Sequence, residues 1–237
     1  MEIWIFNHYA TSPDSIGVSR HYDLAKYLVR KGVKVKIFAS SFNHQTRVEE
    51  HIIDNEKVKL QQYDGVDFVW IKTRPYKKND LNRVLNILDY SFKLSKYLIK
   101  YKGNKPDTII GSLMHPLAPV VGLIFAKKWK KNFIFEERDM WPQSLIDLGK
   151  VKKSNPIVKL LGLLEKGFYK YSDKVILLFD KAHIYAIGQG LNKDKIIYLS
   201  NGVDLERFDF NVNSQTDELL PKEITEFFNE DLSLIHI

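Results

Sequence analysis

Cysteine is absent from the 237 residues, which excludes a disulfide framework and any thiolate metal site. No apolar run has the length of a membrane-spanning helix; the longest, around Leu117 to Phe125, is short and contains Pro119. No basic stretch precedes the first strand-like segment, which begins at Glu2, so a secretory signal is not expected. The expected location is the cytoplasm, with contact to a membrane from the inside. A GxGxxG fingerprint, a P-loop, a Ser-His-Asp array and a glycosidase-like carboxylate pair are all missing. His8, His21, His44, His51 and His183 show no metal-ligand spacing. There is no internal repeat.

What is present is an ordinary globular balance, 44% hydrophobic and 27% charged. The length fits one large domain or two small ones. Lys plus Arg is 36 against 29 Asp plus Glu, a net charge of +7. That surface suits phosphate-bearing ligands, nucleic acid or an anionic membrane without choosing among them. Two lysine runs, Lys127-Lys128-Lys130-Lys131 and Lys150-Lys152-Lys153, fit either a solvated face or an anionic partner. No aromatic-basic platform accompanies them, so nucleic acid is not an expected partner.

Residues 2–6 (EIWIF) read as a buried strand, followed by a polar loop with Pro13 and Gly17. Val18, Tyr22, Ala25 and Leu28 recur at helical spacing, with Ser19 as a cap and Gly32 at the C-terminal end. VKVKIF then alternates as a strand, completing a βαβ unit. Residues 43–65 are polar and read as loop with a short helix. VDFVWI (66–71) is a strand. Leu81, Val84, Leu85, Leu88, Phe92, Leu98 and Ile99 trace one face of a long helix that ends before Gly103. Strands at 107–113, 132–135, 174–179 and 195–199 alternate with helices at 120–129, 157–171 and 182–188. The leucine-rich helix at 157–171 reads as core-facing, with a membrane-surface role as the alternative. This alternation predicts an α/β class: a Rossmann-like, doubly wound, mostly parallel sheet with helices on both faces. Ligands bind such sheets beyond the strands' carboxyl ends.

Those ends offer several candidates. Gly17 precedes a helix start, either as a plain turn glycine or to let backbone N–H groups approach a phosphate. His115, in SLMHP, either bonds a ligand or makes one structural hydrogen bond. Glu136-Glu137-Arg138-Asp139 puts four charges directly after an apolar strand, which needs partners, either as an ion pair anchoring the loop or as a phosphate and hydroxyl site. Trp141 either stacks on a sugar or packs. Asn201-Gly202 is a strong turn signal.

Four segments in order resemble the N-terminal domain of glycosyltransferase family 4, the retaining GT-B enzymes: GVSRHYDLAKYLVRKGVKVKIFAS (17–40), FEERDMWPQSLIDLG (135–149), LEKGFYKYSDKVILLF (164–179) and LSNGVDLERF (199–208). The resemblance covers nearly all of residues 1–208, and the RD-x-WP form is most similar to the branch that builds bacterial surface polysaccharides such as O-antigen and capsule, with amino-deoxysugar (fucosamine) transferases among its members. It implies half of a GT-B fold that holds the acceptor, facing a C-terminal domain that holds most of the nucleotide-sugar. It implies a catalytic group of Arg138, Asp139 and Glu136. The implied substrate-binding set is Gly17, Ser19, Arg20, His115, Trp141, Asn201 and Gly202, with no metal. Gly17 matches the loop glycine that approaches the donor diphosphate. Arg138 stands where many relatives carry His, and a guanidinium cannot serve as a general base. It is expected to bind a hydroxyl, phosphate or carboxylate.

The resemblance implies transfer of a sugar from a UDP- or GDP-sugar to a lipid-linked or oligosaccharide acceptor at the inner membrane surface. Residues 209–231 resemble the start of an interdomain linker. Residues 232–237 match the translation of a common sequencing adapter, so the expectation is an artefactual end, a missing C-terminal domain and an inactive fragment. The alternative is a stand-alone, non-catalytic module that binds a sugar or polyprenyl ligand or a separately encoded second half. A nucleotide-sugar 2-epimerase is a further GT-B alternative.

Overall fold

The computed structural model describes residues 1–53, 55–149 and 151–202. The expected remainder of the domain to 208, the linker at 209–231 and the tail at 232–237 lie outside the described residues. In chain order the elements are β1 (Glu2–Phe6), α1 (Arg20–Arg30), β2 (Lys34–Ser40), β3 (Val58–Tyr63), β4 (Val66–Ile71), α2 (Leu81–Lys100), β5 (Thr108–Ser112), α3 (Leu117–Trp129), β6 (Asn132–Glu137), α4 (Gln143–Asp147), α5 (Pro156–Tyr171), β7 (Lys174–Leu177), α6 (Ala182–Gly188) and β8 (Ile196–Tyr198).

The eight strands form one sheet in the order β3-β4-β2-β1-β5-β6-β7-β8. Every pairing is parallel except β3 with β4. β1 is the pivot, because the chain winds outward from it in both directions. Ile5 pairs with Ile37 of β2 on one side and Ile110 of β5 on the other. Alternation along β1 sends Trp4 and Phe6 into a core with α2, α3, α5 and α6, and Ile3 and Ile5 into a second core under α1. Strands buried on both faces are therefore apolar at successive positions, as the sequence shows.

Helix ends follow local chemistry. Asp80 accepts a hydrogen bond from the Asn82 N–H at 2.8 Å at the start of α2. Asn155 does the same for Ile157 at 2.8 Å, with Pro156 in the first turn of α5. Ser19 stands at the N-cap position of α1, but its hydroxyl donates to the Asp23 carboxylate at 2.5 Å rather than capping the backbone.

Two expectations are corrected. The expected loop with a short helix at 43–65 contains an edge strand, β3, folded back antiparallel onto β4. Asp64 and Gly65 join them with φ of +47° and +80°, the two-residue hairpin turn that Asp-Gly favours. The strand sits at a sheet edge with Leu60 and Gln62 exposed and none of its residues fully buried, so VKLQQY carries little hydrophobic signal. Helix α2 is where periodicity predicts it, and all of the traced apolar face but Leu98 points outward. Leu81, Val84, Leu85, Leu88, Phe92 and Ile99 are exposed, while Asn86, Tyr90, Ser91, Leu94 and Leu98 face the sheet. The helix at 157–171 is only partly core-facing: α5 buries Val158, Phe168 and Tyr169 and exposes Ile157, Leu160 and Leu163.

Close packing of α3 on β5 depends on a glycine. A Cβ at Gly111 would lie 2.7 Å from the Pro119 Cα, a backbone atom that cannot swing aside. Gly111→Ala is expected to destabilise the fold by about 1–3 kcal/mol in urea denaturation. Gly167→Ala, within α5 and with no atom near its Cβ, is expected to stabilise it by about 0.5–1 kcal/mol.

Candidate functional site

The sheet order reverses between β1 and β5, which opens a crevice beyond their carboxyl ends. Glu136, the penultimate residue of β6, is buried there at 1% exposure. Its Oε1 accepts from Arg20 Nε at 3.0 Å and its Oε2 from His21 Nε2 at 2.6 Å. Asn7, just after β1, lies 2.8 Å from His21 Nδ1 and fixes the ring's other edge. Burial by itself would push the Glu136 carboxyl up, but His21 and Arg20 outweigh it and hold it well below the usual carboxylate range. Arg20 also reaches past β8, donating to the carbonyls of Leu199 at 2.9 Å and Ser200 at 2.5 Å, with Asn201 Oδ1 at 3.4 Å. One ion pair thus ties the β1 loop, α1, β6 and the end of β8 together.

Beside this clasp is a cleft lined among others by His8, Tyr9, Val18, Asn43, His44, Glu50, His51 and Arg138. Four rings stack in series along its inner side. Tyr90 of α2 lies on His8 at 4.3 Å, His8 on Tyr9 at 4.3 Å, and Tyr9 on His44 at 4.6 Å. His115, after β5, meets His8 edge-on, with His8 Nδ1 to His115 Nε2 at 2.9 Å. His51 stacks on Trp70 at 3.6 Å.

The histidines are held neutral. Burial lowers His8 well below its ordinary value, with help from His115, His44 and Arg83. Burial and then Arg83 lower His115 to about 3, and burial lowers His51 to about 4 against the opposing pull of Glu50. Glu50 is pushed up by burial, but hydrogen bonds from Asn43 at 3.0 Å and Thr46 at 2.8 Å override that and keep it ionised. Among the described residues, His8 Nε2 and His115 Nδ1 have no hydrogen-bond partner. A buried polar atom without a partner is costly and marks a place where a ligand or water belongs.

Arg138 is half-buried and makes no hydrogen bond among the described residues. Burial lowers its pKa, partly offset by Glu136 and Asp139, with Arg20 opposing. Its guanidinium is the cation of the cleft. No group of His, Asp and Glu able to hold a metal ion occurs among the described residues.

The other sequence-selected residues are placed as follows. Gly17 and Val18 stand at the cleft rim before α1. A Cβ on Gly17 would come within 2.4 Å of Thr11 Cγ2, so the loop needs glycine there. Asp139 is exposed on the loop after β6 and does not line the cleft. Trp141 precedes a cis proline and packs against Leu113, Phe135, Leu164 and Phe168, on the α5 side of the sheet and away from the cleft. Gly202 is exposed at the end of the described chain. The residues that the sequence reading passed over are Asn7, His8, Tyr9, His21, His44 and His51. The available signal for Asn7, His8 and Tyr9 was their place directly after β1.

The sequence profile of Glycosyltransferase Family 4 matches residues 17–207. The chain belongs to glycosyltransferase family 4. Solved structures with the same fold include the catalytic domain of starch synthase IV from Arabidopsis thaliana bound to ADP and acarbose, 15% identical with a TM-score of 0.54 over 86% of this chain and 52% of that one. Sucrose-phosphate synthase from Thermosynechococcus elongatus is 12% identical with a TM-score of 0.51 over 92% and 99%. HepE from Anabaena in complex with UDP-glucose is 13% identical with a TM-score of 0.49 over 97% and 49%. This family 4 chain therefore spans about half the length of HepE and of the starch synthase domain. Its sheet is the Rossmann-like fold of a GT-B N-terminal domain. No curated protein matches the chain in sequence.

The family 4 domain carries a second acid pair on the opposite face of the sheet. Glu137, adjacent to Glu136, points toward α5, where Tyr169 OH donates to both its oxygens at 2.9 and 2.8 Å. Tyr185 OH donates to Glu165 at 3.1 Å. Burial, reinforced by the neighbouring Glu165, pushes Glu137 up to about 8, and burial pushes Glu165 up to about 7. The folded state therefore binds protons that the unfolded chain releases above the ordinary value of 4.5. The stability these groups confer is complete below that value and is lost as pH rises toward 8. Urea denaturation is expected to show this decline between pH 5 and pH 8, and Glu137→Gln to flatten it. On the other face, Glu136→Ala leaves Arg20 buried without its carboxylate and is expected to cost about 3–5 kcal/mol by the same measurement.

Proposed function

We propose that this chain is the acceptor-side domain of a retaining glycosyltransferase that moves a sugar from UDP or GDP to a lipid-linked or oligosaccharide acceptor in bacterial surface-polysaccharide synthesis. The transferred sugar in this reading is an amino-deoxyhexose. The observation that carries it is the cleft itself: stacked rings and neutral imidazoles beside one uncommitted guanidinium, at the switch point of the sheet. Ring faces suit the C–H surface of a sugar, and neutral His and Asn side chains suit its hydroxyls.

Arg138 takes the charged or most polar group of the reacting pair, and Asp139 stands beside it on the loop. Glu136 acts by holding Arg20 and His21 in place. Gly17, with Ser19 at the start of α1, offers backbone N–H groups to the donor diphosphate. Trp141, Asn201 and Gly202 shape the loops around the acceptor. The acceptor oxygen attacks the anomeric carbon while the bond to the diphosphate breaks, and the departing phosphate oxygen takes the acceptor's proton. A His115 near 3 is too weak a base to take that proton at neutral pH. The cleft then works by orientation and electrostatics. No metal or other cofactor enters this scheme. The site of action is the cytoplasmic side of the inner membrane. By itself the chain binds little donor and turns over no sugar, its second half supplying most donor contacts.

The test is NMR of the chain titrated with a short-prenyl diphosphate-linked sugar. Signals of Tyr9, His44, His51 and Arg138 are expected to shift, UDP-glucose to produce much weaker changes, and Arg138→Ala to weaken binding about tenfold or more. Cleft signals that ignore the acceptor analogue, or sugar transfer by the chain alone, would overturn this reading.

A further inference from the structure

The His8 ring is held on both faces and at one edge. Tyr90 and Tyr9 cover its faces, each with its ring centroid 4.3 Å away, at interplanar angles of 6° and 17°. His115 takes the edge, its Nε2 2.9 Å from His8 Nδ1. The other ring nitrogen, His8 Nε2, has no partner among the described residues, although the residue lines the cleft and is 1% exposed. His115, at 3% exposure, has the same unmet need at Nδ1. Trp70, which lines the same cleft, adds a third such atom in its indole Nε1. Three buried polar atoms left open around one cleft mark places for a ligand's polar groups.

The contact between the two imidazoles ties their states together. At 2.9 Å the facing nitrogens share one proton in a hydrogen bond. Each neutral ring carries a single N–H. When His8 Nδ1 holds the shared proton, His115 Nε2 accepts it and His115 carries its own proton on Nδ1. When His115 Nε2 holds it, His8 Nδ1 accepts and His8 carries its proton on Nε2. Both rings are therefore Nδ1–H, or both are Nε2–H. The two outer nitrogens always differ, one a donor and the other an acceptor. We propose, resting on the acceptor reading above, that His8 is a specificity-determining residue whose Nε2 hydrogen-bonds an uncharged hydroxyl of the acceptor sugar, and that this bond selects what His115 offers at Nδ1.

Chemistry selects a hydroxyl over an anion at this edge. A phosphate or carboxylate at His8 Nε2 would favour a charged ring. Burial opposes that charge, and His115, His44 and Arg83 oppose it further. The anionic part of a ligand belongs instead at Arg138, the cation that lines the same cleft. A hydroxyl both donates and accepts, so it matches His8 in either tautomer, and its oxygen also suits the Trp70 N–H, which can only donate. A hydroxyl that donates to His8 Nε2 turns His115 Nδ1 into a donor. One that accepts from it turns His115 Nδ1 into an acceptor. The group bound at the end of β1 thereby sets the hydrogen-bonding character of a residue beyond β5, 107 positions away.

The experiment is heteronuclear NMR of the full chain with isotope-labelled histidine. The chain is observed free, then titrated with the short-prenyl diphosphate-linked sugar and with the same prenyl diphosphate lacking its sugar. In the free chain near neutral pH, His8 and His115 are expected to show the same tautomer in the same proportion. Unlike tautomers, or a charged imidazolium on either ring, overturn the proposal. The sugar-bearing probe is expected to shift His8 Nε2 and His115 Nδ1 together, and the sugarless one to leave both in place. His8→Phe keeps a ring between Tyr90 and Tyr9 but removes both nitrogens. It is expected to weaken binding of the sugar-bearing probe about tenfold and to silence the response of His115, which a merely structural His8 would leave intact. Should that variant misfold, the measurements on the unaltered chain decide. A response of Tyr9 and Arg138 to the sugar-bearing probe with His8 Nε2 unmoved overturns this proposal and leaves the acceptor reading standing. Silence across the whole cleft overturns both.

Discussion

A carboxylate at 1% exposure cannot remain charged in a protein interior unless cations and donors surround it. Glu136 meets that condition with Arg20 and His21, and the site depends on how it does so. Arg20 and His21 lie side by side at the start of α1, so satisfying the carboxylate fixes where α1 begins relative to β6. Arg20 spends its remaining donors on the carbonyls after β8, which sets the far end of the sheet against the same point. His21 passes the constraint to Asn7 and hence to the loop after β1. The glycine loop, the aromatic cleft and the chain's exit from the sheet are all referenced to one ion pair.

The strand period of two turns adjacent glutamates into different chemical species. Glu136 points to the α1 side, where cations and donors keep it ionised. Glu137 points to the α5 side, where burial and a second carboxyl, Glu165, favour the proton against the hydrogen bond from Tyr169. The same separation explains Trp141 and Arg138. Within one short loop, the guanidinium joins the polar cleft and the indole completes the apolar packing under α5. The neutral histidines follow from this layout too, because Arg83 and burial remove any benefit from protonating rings already stacked on tyrosine.

Much of this was legible before the fold. The buried strands announced themselves as short apolar runs, since a parallel sheet covered on both faces leaves no polar positions. The charge cluster after β6 was conspicuous because four charges beside an apolar strand need partners. β3 was not legible, because an edge strand with one wet face carries a weak pattern, and only Asp64-Gly65 betrayed the hairpin. The periodicity of α2 gave the helix correctly and left its orientation open. An apolar stripe specifies a face to be covered, but not whether the sheet or something outside the fold covers it. Tyr90, Leu94 and Leu98 won the inner position because they pack on Phe38 and its neighbours, with the Tyr90 hydroxyl satisfied by the Phe38 carbonyl at 2.7 Å.

The chain's local chemistry, then, determined which segments are strands and helices, that the sheet is mostly parallel, and that ligand chemistry belongs at the strand ends. These follow from period, caps and turns, which act over a few residues. Tertiary structure alone decided which side chains meet. His8 and His115 are 107 positions apart, and Arg20 and Glu136 are separated by 116. Each pair is in contact only because β1, β5 and β6 are neighbours in the sheet. Strand order is set by long-range packing and crossover geometry, so no local pattern could reveal that His8 and His115 meet beyond the strand ends.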